Sequence, residues 1–107
     1  MKALGHVKFG TINIDILANS DKATVAELHF EAGDRASTHM HEHEEFNYVV
    51  KGEFDCLCDG ETKRLRAGDV VKVVSNQNHN LHCVGPENGV IVTFWTPSRR
   101  DLIEKMQ

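Results

Sequence analysis

The run His39-Met40-His41-Glu42-His43-Glu44-Glu45 carries three imidazoles and a carboxylate at every second position. In an extended strand alternate side chains share a face, so residues 39, 41, 43 and 45 project to one side. Neutral imidazole together with carboxylate is a ligand set for Zn, Fe, Mn, Ni or Cu. His79 follows after a second turn-and-strand passage and offers a fourth donor. These spacings point to a small β-barrel with one divalent transition metal inside it. A run rich in histidine and glutamate can also be a solvated turn without metal, and it is the position of His79 that argues against this here.

The elements that must carry these donors are short. Thr11–Leu17 and Thr24–Phe30 alternate apolar and polar residues as half-buried strands do, and Ala32-Gly33-Asp34 closes the second. Phe46–Val50, Glu53–Cys58, Thr62–Arg66, Val70–Val74, Asn80–Val84 and Val90–Trp95 follow. Asp59-Gly60 is a hairpin signal between two of them. Such strands at this spacing predict an all-β sandwich or barrel. Only Arg99–Met106 reads as helix, with Ser98 as its N-cap. Exposed edge strands suggest a homodimer.

The bulk properties bound the rest. A chain of 107 residues has room for one domain, residues 1–107, and one core. A net charge of −4 argues against a nucleic-acid partner, because phosphate binding needs a basic patch. No apolar run reaches the length of a membrane span, and the N-terminus lacks the apolar stretch of a signal peptide. Three cysteines without a paired framework fit a reducing, cytoplasmic setting. Cys56-Leu57-Cys58 is too closely spaced for an easy disulfide. The pair could ligate a soft metal, although no second pair completes such a site, and free interior thiols are expected. By parity Phe54, Cys56 and Cys58 face the core, Asn47 and Val49 follow Glu45 inward, Tyr48 packs outside, and His79, Leu81 and Cys83 share a face that His82 does not. His6 and His29 read as surface or structural histidines.

Two motifs bring a family into view. Gly33, His39, His41, Glu45 and Gly52 match every defining position of the first cupin motif, and Gly68 and His79 stand in place in the second. Val74, Asn76 and Cys83 replace the Pro, Gly and Asn usual there. The chain thus resembles the cupin superfamily over about residues 24–95, with its metal-binding motifs within 33–52 and 68–83. The resemblance implies a double-stranded β-helix, the jelly-roll barrel, with a short C-terminal helix, and the metal ligands His39, His41, Glu45 and His79. His43 lies outside that ligand set. It either lines the pocket mouth as a proton carrier or sits exposed after a bulge. Cys83 falls on the interior face near the metal, as a buried apolar residue or as a thiol lining the substrate site.

A narrower resemblance is to the cupins of pectin and alginate breakdown that linearise unsaturated uronates. Those share a His-x-His-x-His-x-Gln run, then Tyr-Val and Gly, and end their last strand in an aromatic, a small residue, Pro and an Arg. Here the matching residues are His39, His41, His43, Glu45, Tyr48, Val49 and Gly52, then Trp95-Thr96-Pro97-Ser98-Arg99. The resemblance implies that Arg99 and Trp95 belong to a sugar site, with Arg99 pairing with a substrate carboxylate. The chain departs from it twice. Thr93 replaces a reacting Asp, and Glu45 replaces the Gln ligand, which makes the metal a weaker Lewis acid and better suited to Fe(II) or Mn(II). Three readings follow. One is an enzyme that polarises an oxygen of a small polar substrate, with His43 moving a proton and Thr93, Trp95 and Cys83 lining the site. Another is an Fe(II) dioxygenase. The last is a non-enzymatic module that binds a sugar or small acid.

Overall fold

Residues 2–36 and 42–106 of the computed structural model are described here. Among the described residues, ten strands and one short helix follow one another. The strands are β1 Gly5–Phe9, β2 Ile12–Asn19, β3 Thr24–Phe30, β4 Arg35–Ala36, β5 Glu44–Lys51, β6 Phe54–Cys58, β7 Glu61–Leu65, β8 Val70–Val73, β9 His79–Cys83 and β10 Gly89–Thr96, and the helix α1 is Arg100–Glu104. They form two antiparallel sheets in the orders β1-β2-β3-β10-β5-β8 and β4-β9-β6-β7. This is the expected all-β jelly roll.

Period-two alternation explains the layering. Ile12, Ile14 and Ile16 of β2, Ala26, Leu28 and Phe30 of β3, Val49 of β5 and Ile91 of β10 turn inward from the larger sheet. Phe54, Cys56, Leu65, Leu81 and Cys83 meet them from the smaller one. Phe30 and Phe54 close the core edge to face, with centroids 4.9 Å apart. The parity expectations hold: Asn47 and Val49 are fully buried while Tyr48 is exposed, and Phe54 and Cys56 are buried with Cys58 partly so.

Turn chemistry sets the corners. Glu31-Ala32-Gly33-Asp34 and Arg66-Ala67-Gly68-Asp69 are the same turn used twice. In each the Asp amide donates to the carbonyl three residues back, at 2.9 Å, and the Asp carboxylate takes the amide of that residue, at 2.8 Å. The Gly at the third position has φ of +94° and +95°, which a type II turn requires. Asp59 and Gly60, at φ +48° and +83°, form the expected two-residue hairpin. Asn76 stands where the second cupin motif has Gly, and its φ is +61°. Asparagine tolerates this left-handed conformation better than other non-glycine residues, so the loop shape survives the replacement.

The structure corrects the sequence reading in three places. β1 and the two-residue β4 had no separate signal. The helix is shorter, and Ser98 is not its cap. Arg99 occupies the N-cap position without a side-chain cap, while Ser98 Oγ donates to Asn19 Oδ1 at 2.8 Å and lies 3.3 Å from Thr24 Oγ1. The serine therefore ties the end of β10 to the β2–β3 turn.

Candidate metal centre and adjoining pocket

Register alone assembles the inner face of the larger sheet. Glu45 lies directly across from Trp95, and Asn47 directly across from Thr93. Within each strand these residues are two apart, so all four side chains enter the barrel together. They form a chain of hydrogen bonds. Trp95 Nε1 donates to Glu45 Oε1 at 2.6 Å, Asn47 Nδ2 donates to Glu45 Oε2 at 2.7 Å, and Thr93 Oγ1 donates to Asn47 Oδ1 at 2.8 Å. All four residues are buried. A buried carboxylate is costly unless it is paired and hydrogen-bonded, and here both oxygens are held by donors from its own sheet.

The partner comes from the smaller sheet. His79 Nε2 lies 3.3 Å from Glu45 Oε2, with both side chains almost fully buried. His79 Nδ1 is 3.1 Å from the Gln77 carbonyl oxygen. A carbonyl only accepts, so Nδ1 carries a proton and Nε2 is the atom turned toward Glu45. Burial pulls the His79 pKa down, but the hydrogen bond and charge of Glu45 outweigh it and the net shift is upward. A buried imidazole and carboxylate at this separation fit a divalent ion: two donors each about 2.1 Å from one ion lie about 3.0–3.4 Å apart. The Gln77 carbonyl behind His79, and Trp95 and Asn47 behind Glu45, orient both donors, as groups outside a coordination sphere do. His39 and His41, the other two ligands expected from the sequence, lie outside the described residues.

The remaining expected residues divide. Arg99 comes to the centre: its guanidinium carbon sits 4.8 Å from the Trp95 ring centroid, and its charge reaches His79. The fork is already engaged, since Nε and Nη2 donate to the two Asp101 oxygens at 3.0 and 2.8 Å. His43 precedes β5, so strand alternation does not govern it. Its Nε2 donates to the Ser98 carbonyl at 3.1 Å. It lines a hollow of about 430 Å³ with Asp21, Glu42, Pro97, Ser98, Arg100 and Asp101. Cys83 is inside the barrel but not at the centre. It sits four residues along β9 from His79, roughly 13 Å in an extended strand, where it pairs with Phe54 and an added Cβ at Gly89 would touch its sulfur. Burial raises its thiol pKa. Cys83 therefore packs as core rather than lining a substrate site beside the metal. Thr93 also acts differently from expectation, its hydroxyl being spent on Asn47. Glu44 leads β5 on the face opposite Glu45.

Sequence reasoning missed two features. Asn47 was an inward residue without a role, and it proves to be the second anchor of Glu45. His6 and His29 are not isolated. His6 Nδ1 is 2.6 Å from Asp15 Oδ1, and His29 Nε2 is 3.3 Å from Asp15 Oδ2 and 2.9 Å from Glu27 Oε1, on the outer face of the larger sheet. Asp15, Glu27 and His29 are close enough to share an ion. The signal was parity across β1, β2 and β3, readable only once their register is known.

A cupin domain model matches residues 26–95. The chain is a cupin. This cupin is 29% identical over 89 residues to the pectin degradation protein KdgF of Dickeya dadantii, covering 82% of the chain and 80% of that protein. It is 38% identical over 66 residues to the polyketide synthase protein CurC of Streptomyces cyaneus, covering 61% of the chain but only 43% of that protein. Among solved structures, KdgF from Halomonas sp. superposes with a TM-score of 0.82 at 26% identity, over 90% of this cupin and 88% of that chain. The narrower resemblance seen in the His39–Gly52 and Trp95–Arg99 segments thus extends to the whole barrel.

Proposed function

We propose that this cupin binds one divalent transition metal through His39, His41, Glu45 and His79 and uses it on a small, carboxylated, sugar-derived substrate. The observation that carries the reading is the buried Glu45–His79 pair, 3.3 Å apart and braced on both sides by hydrogen bonds. Similarity to the pectin degradation protein KdgF of Dickeya dadantii supports the substrate class. When bound, the metal supplies a Lewis acid that polarises a substrate hydroxyl or carbonyl oxygen.

The chain's own residues do the rest. Arg99 is preorganised by the Trp95 face and by Asp101, and offers its remaining N–H groups to a substrate carboxylate. Trp95 forms the apolar wall beneath that guanidinium. His43, in the hollow beside Ser98, is the residue that moves a proton through its imidazole. Asn47 and Thr93 fix the carboxylate that would hold the ion. Free thiols at all three cysteines fit a reducing compartment, and no helix among the described residues is long and apolar enough to cross a membrane.

The test is substrate turnover by metal-loaded protein on unsaturated uronates and related keto sugars. The expected result is conversion that Arg99→Ala slows mainly through a raised KM and His43→Ala slows mainly through kcat. Tight uronate binding without turnover would favour a ligand-binding module. The carboxylate Glu45 in place of an amide favours a redox-active ion. Oxygen uptake restored by Fe(II) alone would therefore replace the Lewis-acid reading with a dioxygenase.

A further inference from the structure

Cys56 and Cys58 lie two residues apart on β6, on its core-facing side. Their sulfurs approach to 3.6 Å. They are reached from a slot of about 340 Å³ along the seam between the two sheets, where β7 edges one sheet and β8 the other. Asp59, Lys63, Lys72 and Gln77 line the same slot. We propose that Cys56 and Cys58 form a second metal site, beside the histidine–carboxylate centre, for a thiophilic d¹⁰ ion such as Zn²⁺, Cd²⁺ or Cu⁺.

Two observations carry it, neither of which depends on the proposed function. The first is distance. Two thiolates about 2.3 Å from one tetrahedral ion lie about 3.8 Å apart, and the pair needs only a small adjustment from 3.6 Å. Access is the second, since a slot with room for an ion and waters opens onto both sulfurs. Each thiol gives up its proton to solvent as its sulfur bonds the ion, so one ion releases two protons and leaves two thiolates, with water completing the coordination.

The chemistry also selects the ion. Two soft sulfur donors favour an ion with strong affinity for sulfur, so Mg²⁺, Ca²⁺ and Mn²⁺, which take oxygen donors, are excluded from this site even where they enter other sites.

The experiment is a Cd²⁺ titration of fully reduced protein, followed by the ultraviolet sulfur-to-cadmium charge-transfer band. The expected result is a band that saturates at one thiolate-bound Cd²⁺ per chain, persists in His79→Ala and Cys83→Ser, and is lost in Cys58→Ser and in Cys56→Ser/Cys58→Ser. Circular dichroism checks that each variant folds, and Cys58→Ser, at the partly exposed position, serves if the double variant does not. No band in the parent, a band that survives Cys58→Ser unchanged, or a band lost in His79→Ala would each overturn the proposal.

Discussion

Glu45 is held on both sides, because Trp95 and Asn47 each commit a donor to one of its oxygens. Glu45→Gln keeps the shape but removes the charge, and its amide nitrogen then faces either the Trp95 or the Asn47 N–H. The variant is expected to lower metal affinity, measured by chelator competition, because it replaces an anionic oxygen donor by a neutral one. His79→Ala is expected to lower metal content and thermal stability together, since an ion that binds only the folded chain stabilises it. His82→Ala should do neither, because His82 faces away from the interior and pairs with Arg35 and Asp55 positions. Metal loss in His82→Ala would mean that the register of β9 is wrong. At this scale the sequence was informative about which residues turn inward, since parity is a local property of a strand. It said nothing of who bonds whom. That Thr93 serves Asn47 and Trp95 serves Glu45 depends on the register of two strands more than 40 residues apart, and no local pattern encodes it.

The junction of β10, the β2–β3 turn and α1 carries Arg99 to the centre. Thr24 Oγ1 donates to Asn19 Oδ1 at 2.7 Å and accepts the Arg99 amide at 2.9 Å. Thr24→Val leaves the part-buried Arg99 amide without its acceptor and is expected to cost about 1 kcal/mol of stability by chemical denaturation. The Asp101 carboxyl is held below its usual range, chiefly by hydrogen bonds from Arg99 against the opposing effect of burial. A depressed carboxylate pKa stabilises above the ordinary value of 3.8, and the contribution is lost as pH falls through the lower folded value. Trp95, the single tryptophan, lies under Arg99 and should report that acid transition in its fluorescence; Asp101→Asn should remove it. Across the barrel Gly52 has φ +87°, and an added Cβ would come within 2.9 Å of Gly89 Cα. Gly52→Ala is expected to cost about 1–3 kcal/mol. The strands with alternating residues were legible, as was the Asp59-Gly60 hairpin. β4 was not, because two residues carry no period, and Ser98 misled because its hydroxyl serves a distant strand instead of the helix that follows it.

At the scale of the molecule, a homodimer is expected through an exposed edge strand, and the larger sheet also leaves an apolar outer face that could serve it. Phe46, Tyr48, Val70 and Phe94 are cross-strand neighbours on the outer face of the larger sheet, and Tyr48, Val70 and Phe94 are exposed. Tyr48→Lys with Phe94→Lys is expected to convert a dimer to a monomer in sedimentation velocity while leaving metal content unchanged. Fold class was readable from strand spacing and from the two motifs; which sheet face is left apolar needed the strand order, which joins β10 to β5 across half the chain. The buried Glu45–His79 pair calls for a metal where the two sheets meet. Elemental analysis of untagged protein purified without chelator, beside the His39→Ala/His79→Ala variant, checks this. Close to one divalent transition metal per chain is expected in the parent and little in the folded variant. A parent that holds no such metal even after reconstitution, or a variant that keeps it in full, would rule out a metal held by these residues.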